Sequence, residues 1–417
     1  MKRGFFHPVS LDLSKRLNDH GCDAFKLKPF YLDKYHYLID SLYLRKVINK
    51  KAKWTDYQPV NAKVLERIVT PQCAVAVKND LVSVRVLEKS RIPYRVGSHS
   101  MSYRFADEFR DADFKLIPIS DEKLIRRIER QRFDDISAAT RQHEGRKLIA
   151  ASMARLRFDA TGARKHILGC NYTSNDSRAC RLVSVGMFEA REFFFTSDEQ
   201  GRVYHNFTSL PSDLRRFATF EGRGLFAIDV GNCQPALLSR LYFADSAEKR
   251  RYVALVKENR FYGHLNAKLS LPYDLSDSAE KRKFKELVFH KIFYGSNWGE
   301  AVELTHVFRR EFPRLFDSVR HAKERHHRDL PVALQKLEAE TVIDGVASEF
   351  ARKHIGETVC LISLHDCLVS TEEHVGELKA MIENAFLTLL EFAPPVRIEQ
   401  FSADAVQPEF AETLIAA

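Results

Sequence analysis

Two aspartates interrupt runs that otherwise read as buried strands. "GLFAIDVGN" (224–232) is apolar and β-prone up to Asp229, and "TVCLISLHDCLVS" (358–370) is apolar on both sides of His365 and Asp366. An unpaired carboxylate among apolar neighbours is costly, so the pair asks for compensation. A shared divalent cation supplies it, because Mg²⁺ takes hard carboxylate oxygens and completes its shell with water and substrate phosphates. Two such ions can activate a nucleophilic oxygen and stabilise a departing pyrophosphate. On these residues alone, separate turn or cap roles for the two aspartates remain the alternative. His365 reads as an orienting group that bonds backbone, its neighbour or a phosphate, since Mg²⁺ disfavours nitrogen. Between the aspartates lies "EKRKFKELVFHKIFYGSNWG" (280–299), where Lys281, Lys285, Phe289 and Phe293 recur every fourth residue and Arg282 follows the first. A helix would carry those cations along one side and end on an aromatic. Cations of this kind can grip a triphosphate, and the aromatic can stack on a base. An ordinary amphipathic helix with a basic face is the competing account.

The elements that must position these groups form an α/β (α+β) pattern. A strand at 224–232 leads into a helical region of roughly 234–356; then come the 358–370 strand, the helix "EEHVGELKAMIENAFLTLL" and a last strand, "PVRIEQF" (395–401). Upstream, 120–165 reads as helices with Arg and Lys on their polar faces. That is a solvated surface or a clamp on a nucleic-acid backbone. The N-terminal part has helical spacing at 32–50, 61–69 and 73–81, then two extended segments around Gly97. Helices followed by a hairpin are the order of a winged helix, with Arg91, Tyr94, Arg95, Tyr103 and Arg104 placed for phosphate contacts. A small α/β module that only packs on the rest fits as well. "HAKERHHRD" (321–329) reads as a solvated loop rather than a metal site.

Composition narrows the class. The chain has 417 residues, 45% hydrophobic and 29% charged, with a net charge of +9, which suits two or three modules and a polyanionic partner. Seven scattered cysteines without CxxC spacing argue for a reducing compartment and against a disulfide framework or a zinc ribbon. "MKRGFFHPVS" has no apolar run behind its charges, so a signal peptide is not expected, and no stretch has the length of a membrane span. The expected setting is cytoplasmic, without a membrane partner.

The stretch 198–240 resembles the run leading into motif A of family A DNA polymerases and of single-subunit phage-type RNA polymerases. Gly201, Arg202, Leu210, Pro211, Arg215 and Asp229 match that layout. "LHDCLVS" resembles motif C with Asp366 as its carboxylate, and 280–299 resembles motif B, ending in Tyr294-Gly295. "LQKLEAETVIDGVASEF" (334–350) is similar to the helix before motif C that faces the primer–template, which puts Gln335 there. The resemblance spans roughly 198–400 in order. It implies a right-hand polymerase: a small N-terminal module (1–110), a helical thumb-like region (111–197), and a palm (198–417) with fingers inserted at about 240–356.

What the resemblance implies for chemistry is specific. Asp229, Asp366 and the backbone carbonyl of Val230 would hold two Mg²⁺ ions, or Mn²⁺ in their place. Lys285 would assist the departing pyrophosphate, together with Arg282 and Lys281. Tyr294 and Phe293 would meet the nucleotide; Arg202, Arg215, Gln335 and His365 would contact nucleic acid. The family has Lys eight residues before the Tyr, whereas this chain has Glu286 there and Lys285 one residue further back. Cys367 stands where family A DNA polymerases commonly have an acid. Gln234, five residues after Asp229, retains the bulk of a Glu that crowds the sugar 2′-hydroxyl and so favours dNTPs on a DNA primer–template. The alternatives are a phage-type RNA polymerase or primase-like enzyme using rNTPs, a metal-dependent nuclease, and a non-catalytic DNA-binding replication protein with a degenerate palm.

Overall fold

The computed structural model describes residues 4–48, 53–92, 100–110, 113–172, 175–297 and 302–402. Helices dominate, and the sheets are small and antiparallel. The chain divides into two compact units. One comprises Met1–Ala138, Phe158–Phe195 and His205–Phe217; the other comprises Ala139–Arg157, Thr196–Tyr204 and Ala218–Ala417.

The first unit is built on the helix Pro29–Ile48, whose Tyr35, Leu38, Ile39, Leu42 and Tyr43 enter a core with Phe5, Phe6 and Phe105. Phe5–Pro8 pairs antiparallel with Phe114–Ile117. Buried Asp33 accepts from the Ser120 and Asp121 amides and the Ser120 hydroxyl, so its charge is met by three donors. The helices Ala62–Val69 and Pro71–Ser83 precede Leu87–Lys89 and Ser102–Phe105, which pair in a three-stranded sheet with Gln58–Pro59. Of the residues expected to meet phosphate, Tyr94 and Arg95 lie outside the described residues, as does Gly97. Arg91 is exposed. Tyr103 is buried, and Arg104 is paired with Glu88 at 2.8 Å and stacked on Tyr57.

The second unit holds the largest sheet, four antiparallel strands in the order Ile362–Leu364, Cys367–Ser370, Phe226–Val230, Val396–Gln400. Helix Glu372–Leu390 packs on this sheet through Val375, Leu378, Ile382 and Phe386. Helix Glu144–Arg155 packs against the continuous helical run Asp329–Ala339, Glu340–Ala347 and Ser348–Lys353. Arg146 forms a two-pronged ion pair with Asp344 (2.9 and 2.8 Å), joined by His143 at 3.0 Å.

Gly145 lets these helices approach: a Cβ there would lie 2.7 Å from the backbone of Ala347 and Ser348, and its amide donates to the Ser348 hydroxyl at 3.1 Å. Backbone cannot give way as a flexible side chain can. Gly145→Ala should therefore destabilise by about 1–3 kcal/mol. Thermal unfolding checks this, and an unchanged midpoint would contradict the close packing.

All seven cysteines are free. Among the described residues no helix is long and apolar enough to cross a membrane.

Candidate active site

Asp229 lies on one strand of the four-stranded sheet, and Asp366 lies in the turn leading into the neighbouring strand. Asp229 lies one residue before the end of Phe226–Val230, with Cys367 as its register partner on one side and Arg397 on the other. Asp366 is not inside a strand, contrary to the single strand expected over 358–370. Leu364 pairs with Cys367, and His365-Asp366 form a two-residue hairpin turn between them. His365 takes a left-handed φ of 61°, as the first residue of a type II′ turn does. The ring of Tyr204 meets His365 edge-on, 5.8 Å between centroids. The Ser370 hydroxyl fastens the hairpin by donating to the Cys360 carbonyl at 2.6 Å.

Both carboxyls are pushed above the ordinary Asp range. For Asp366 burial is the largest cause, then the charges of Glu338 and Asp229, with Arg202 pulling the other way. Burial also raises Asp229, opposed by Arg397 and Lys285. Charges this close, short of water, are what a divalent cation relieves.

A third carboxylate, Glu338, was not identified from the sequence. It is 1% exposed and accepts from Arg202 Nε at 3.1 Å and Nη2 at 2.7 Å. Its other oxygen accepts from Gln234 Nε2 at 2.6 Å. Arg202 is thus turned inward and 3% exposed rather than presented to nucleic acid. Glu338 is engaged by Arg202 and Gln234, whereas Asp229 and Asp366 are hard oxygen donors of the kind Mg²⁺ takes. Cys233 comes close: its sulfur and one oxygen each of Glu338 and Asp366 all lie within 4.8 Å. Burial, then the charges of Asp366, Glu338 and Asp229, push its thiol well above the usual range.

The backbone explains this convergence. After Val230, Gly231 passes so near Pro395 that a Cβ would meet its carbonyl at 3.0 Å. Asn232 then turns left-handed (φ 56°) and starts the helix Cys233–Leu238, which carries Cys233 and Gln234. Glu338 sits one turn after Gln335 on Asp329–Ala339, and that i, i+3 spacing was the available signal for it. The Tyr294 hydroxyl is buried and pushed to about 12, chiefly by burial.

Lys285 and Tyr294 reach this region because the helix between them widens. Ser278–Val288, capped by Asp277 on the Ala279 amide, continues as a π-helical segment, Phe289–Phe293. The Tyr294 amide bonds the Phe289 carbonyl at 2.8 Å, five residues back. Such a turn takes up one more residue than an α-turn. Lys285 Nζ lies 5.6 Å from the Tyr262 ring centroid and acts on the charge of Asp229. Lys323 steadies the widened turn by donating to the Ile292 and Gly295 carbonyls at 2.7 and 3.0 Å. The 321–329 stretch is therefore not all solvated loop: burial lowers the Lys323 pKa to about 8.

No family model matches the sequence, and no curated protein matches it. Among solved structures, the POL domain of Pol1 from M. smegmatis, in complex with DNA primer–template and dNTP, is similar with a TM-score of 0.45 and 12% identity. The match covers 86% of this chain and 80% of that one.

The remaining expected residues are dispersed. Phe293 is fully buried against Phe289, 5.2 Å between centroids, so it is a core residue rather than a stacking surface, and Tyr294 is also buried, 5.6 Å from the Phe289 ring. Arg282 is exposed and Lys281 half-buried on the same helix. Val230 ends its strand opposite Val396 with a buried side chain. Arg215 belongs to the first unit, buried with its guanidinium 5.9 Å from the Phe207 ring centroid.

Proposed function

We propose that this chain is a nucleic-acid polymerase that transfers dNMP units from dNTPs to the 3′-hydroxyl of a primer on a DNA template. The observation that carries the reading is the sheet register: Asp229 pairs directly with the residue after Asp366, and both carboxyls are raised by burial. In this reading Asp229 and Asp366, with the Val230 carbonyl, hold Mg²⁺. When bound, the metal supplies Lewis acidity that favours the ionised 3′-hydroxyl and stabilises charge on the phosphates. Lys285, with Arg282 and Lys281 on the same helix, neutralises the triphosphate as pyrophosphate leaves. Tyr294 lies against the nascent base pair, and Gln335 and His365 face the primer–template. Gln234, held by Glu338 and 4% exposed, presents a fixed bulk to the sugar.

Primer extension with Mg²⁺ and dNTPs or rNTPs tests the reading. Wild type should incorporate dNTPs, and Asp366→Ala should lose at least about 10²–10³-fold of the rate. No incorporation by the wild type would overturn it. Gln234→Gly should relax discrimination against rNTPs, and unchanged selectivity would remove the basis for a deoxynucleotide substrate.

A further inference from the structure

A second constellation lies away from Asp229 and Asp366, at the base of the hairpin. His354 ends the helix Ser348–Lys353, before the strand Ile362–Leu364; His374 and Glu377 lie in the first turns of Glu372–Leu390, after the strand Cys367–Ser370. Ligand atoms of His354, His374 and Glu377 all lie within 4.8 Å of one another. His354 Nε2 is 3.0 Å and His374 Nδ1 3.8 Å from Glu377 Oε2. Tetrahedral bonds of about 2.0–2.1 Å put ligand atoms roughly 3.3–3.4 Å apart, between these two separations.

The groups around the three are arranged as metal ligands are supported elsewhere. Glu357 takes His354 Nδ1 at 2.7 Å, the outer carboxylate that orients a ligating imidazole and leaves Nε2 to point inward. Lys353 binds Glu377 Oε1 at 2.5 Å and leaves Oε2 toward the histidines. Buried Phe350 lies beneath both rings, at 4.5 Å from His354 and 5.4 Å from His374. Two imidazoles and one carboxylate suit zinc and are poor ligands for Mg²⁺ or Ca²⁺.

We propose that His354, His374 and Glu377 form a Zn²⁺ site that ties together the two chain segments flanking the hairpin. Three protein ligands leave the fourth tetrahedral position to water. Binding displaces the proton that His354 Nε2 shares with Glu377, while Nδ1–H stays donated to Glu357. The site holds the hairpin by its base, so it stabilises the turn that carries Asp366 without touching it.

The test uses the full chain, freed of metal by chelator and titrated with Zn²⁺ in excess Mg²⁺, read by calorimetry and thermal unfolding. The expected result is one tight Zn²⁺ event with a rise in melting temperature. His374→Ala and Glu377→Gln should abolish that event, and Glu357→Gln should weaken it about 10–100-fold. His326→Ala, in the histidine-rich stretch, should leave it unchanged. Co²⁺ in place of Zn²⁺ should give intense visible absorption from a four-coordinate site. Glu377→Gln is close to isosteric, and folding of each variant is checked by circular dichroism. No tight event in the wild type, or one that survives both ligand substitutions, would overturn the proposal.

Discussion

If Asp229 and Asp366 hold Mg²⁺ as proposed, replacing Asp366 with Asn should stabilise the metal-free protein at neutral pH and remove most of the stabilisation by millimolar Mg²⁺ that the proposed site requires of the wild type. The reason is the direction of its shift. Burial and the neighbouring Glu338 and Asp229 raise the folded-state value well above the 3.8 of an ordinary Asp. The folded chain therefore holds the proton more tightly than the unfolded chain does. The stability this contributes is complete below about pH 4 and is lost as pH rises through the folded value. Above about pH 4 the unfolded chain ionises Asp366 more readily than the folded chain does, so the residue works against folding unless a cation compensates its charge. The Asn variant has no such charge, so its advantage should grow as pH rises from 4, to on the order of 1 kcal/mol or more. Thermal unfolding across pH, with and without Mg²⁺, measures both effects. A variant less stable than wild type, or equally stabilised by Mg²⁺, would contradict the account.

Breaking the buried Arg202–Glu338 pair should have a large stability effect. The partners are 3% and 1% exposed, and Glu338→Ala leaves a guanidinium buried without its counter-charge. Removing one member of such a pair costs about 3–5 kcal/mol. Gln234 loses its acceptor as well. Relief of Asp366 from the Glu338 charge acts in the opposite direction, but on the order of 1 kcal/mol, so the loss dominates. Urea unfolding of Glu338→Ala, Arg202→Met and the double Glu338→Leu/Arg202→Met variant separates the terms. The double variant should recover much of what either single change loses, because no charge is left stranded. A cost below about 1 kcal/mol for Glu338→Ala would mean that water reaches Arg202.

Much of this was legible in the residues. The apolar run into Asp229 specified a strand, and the helical region after it, the helix 372–390 and the last strand follow from periodicity alone. The cations at 281, 282 and 285 required only helical spacing. The turn at His365-Asp366 was not legible, because "LHDC" has none of the Gly or Asn that usually marks a two-residue hairpin. Histidine enters the left-handed region more readily than most residues, but nothing local announces that it does so.

The sequence by itself determined which chemical groups the second unit has to work with: one aspartate near the end of an apolar strand, a second within an apolar run, a basic helix between them, and a glutamine five residues after the first aspartate. Tertiary structure alone decided how they meet. One π turn before Tyr294 shifts the helix phase by a residue and is held by Lys323 from a distant helix. Arg202 became internal structure rather than a nucleic-acid contact because Glu338, 136 positions away, meets it in the interior. A charge pair at that separation leaves no local pattern. Its partner is selected by packing, and only the folded chain brings the two together.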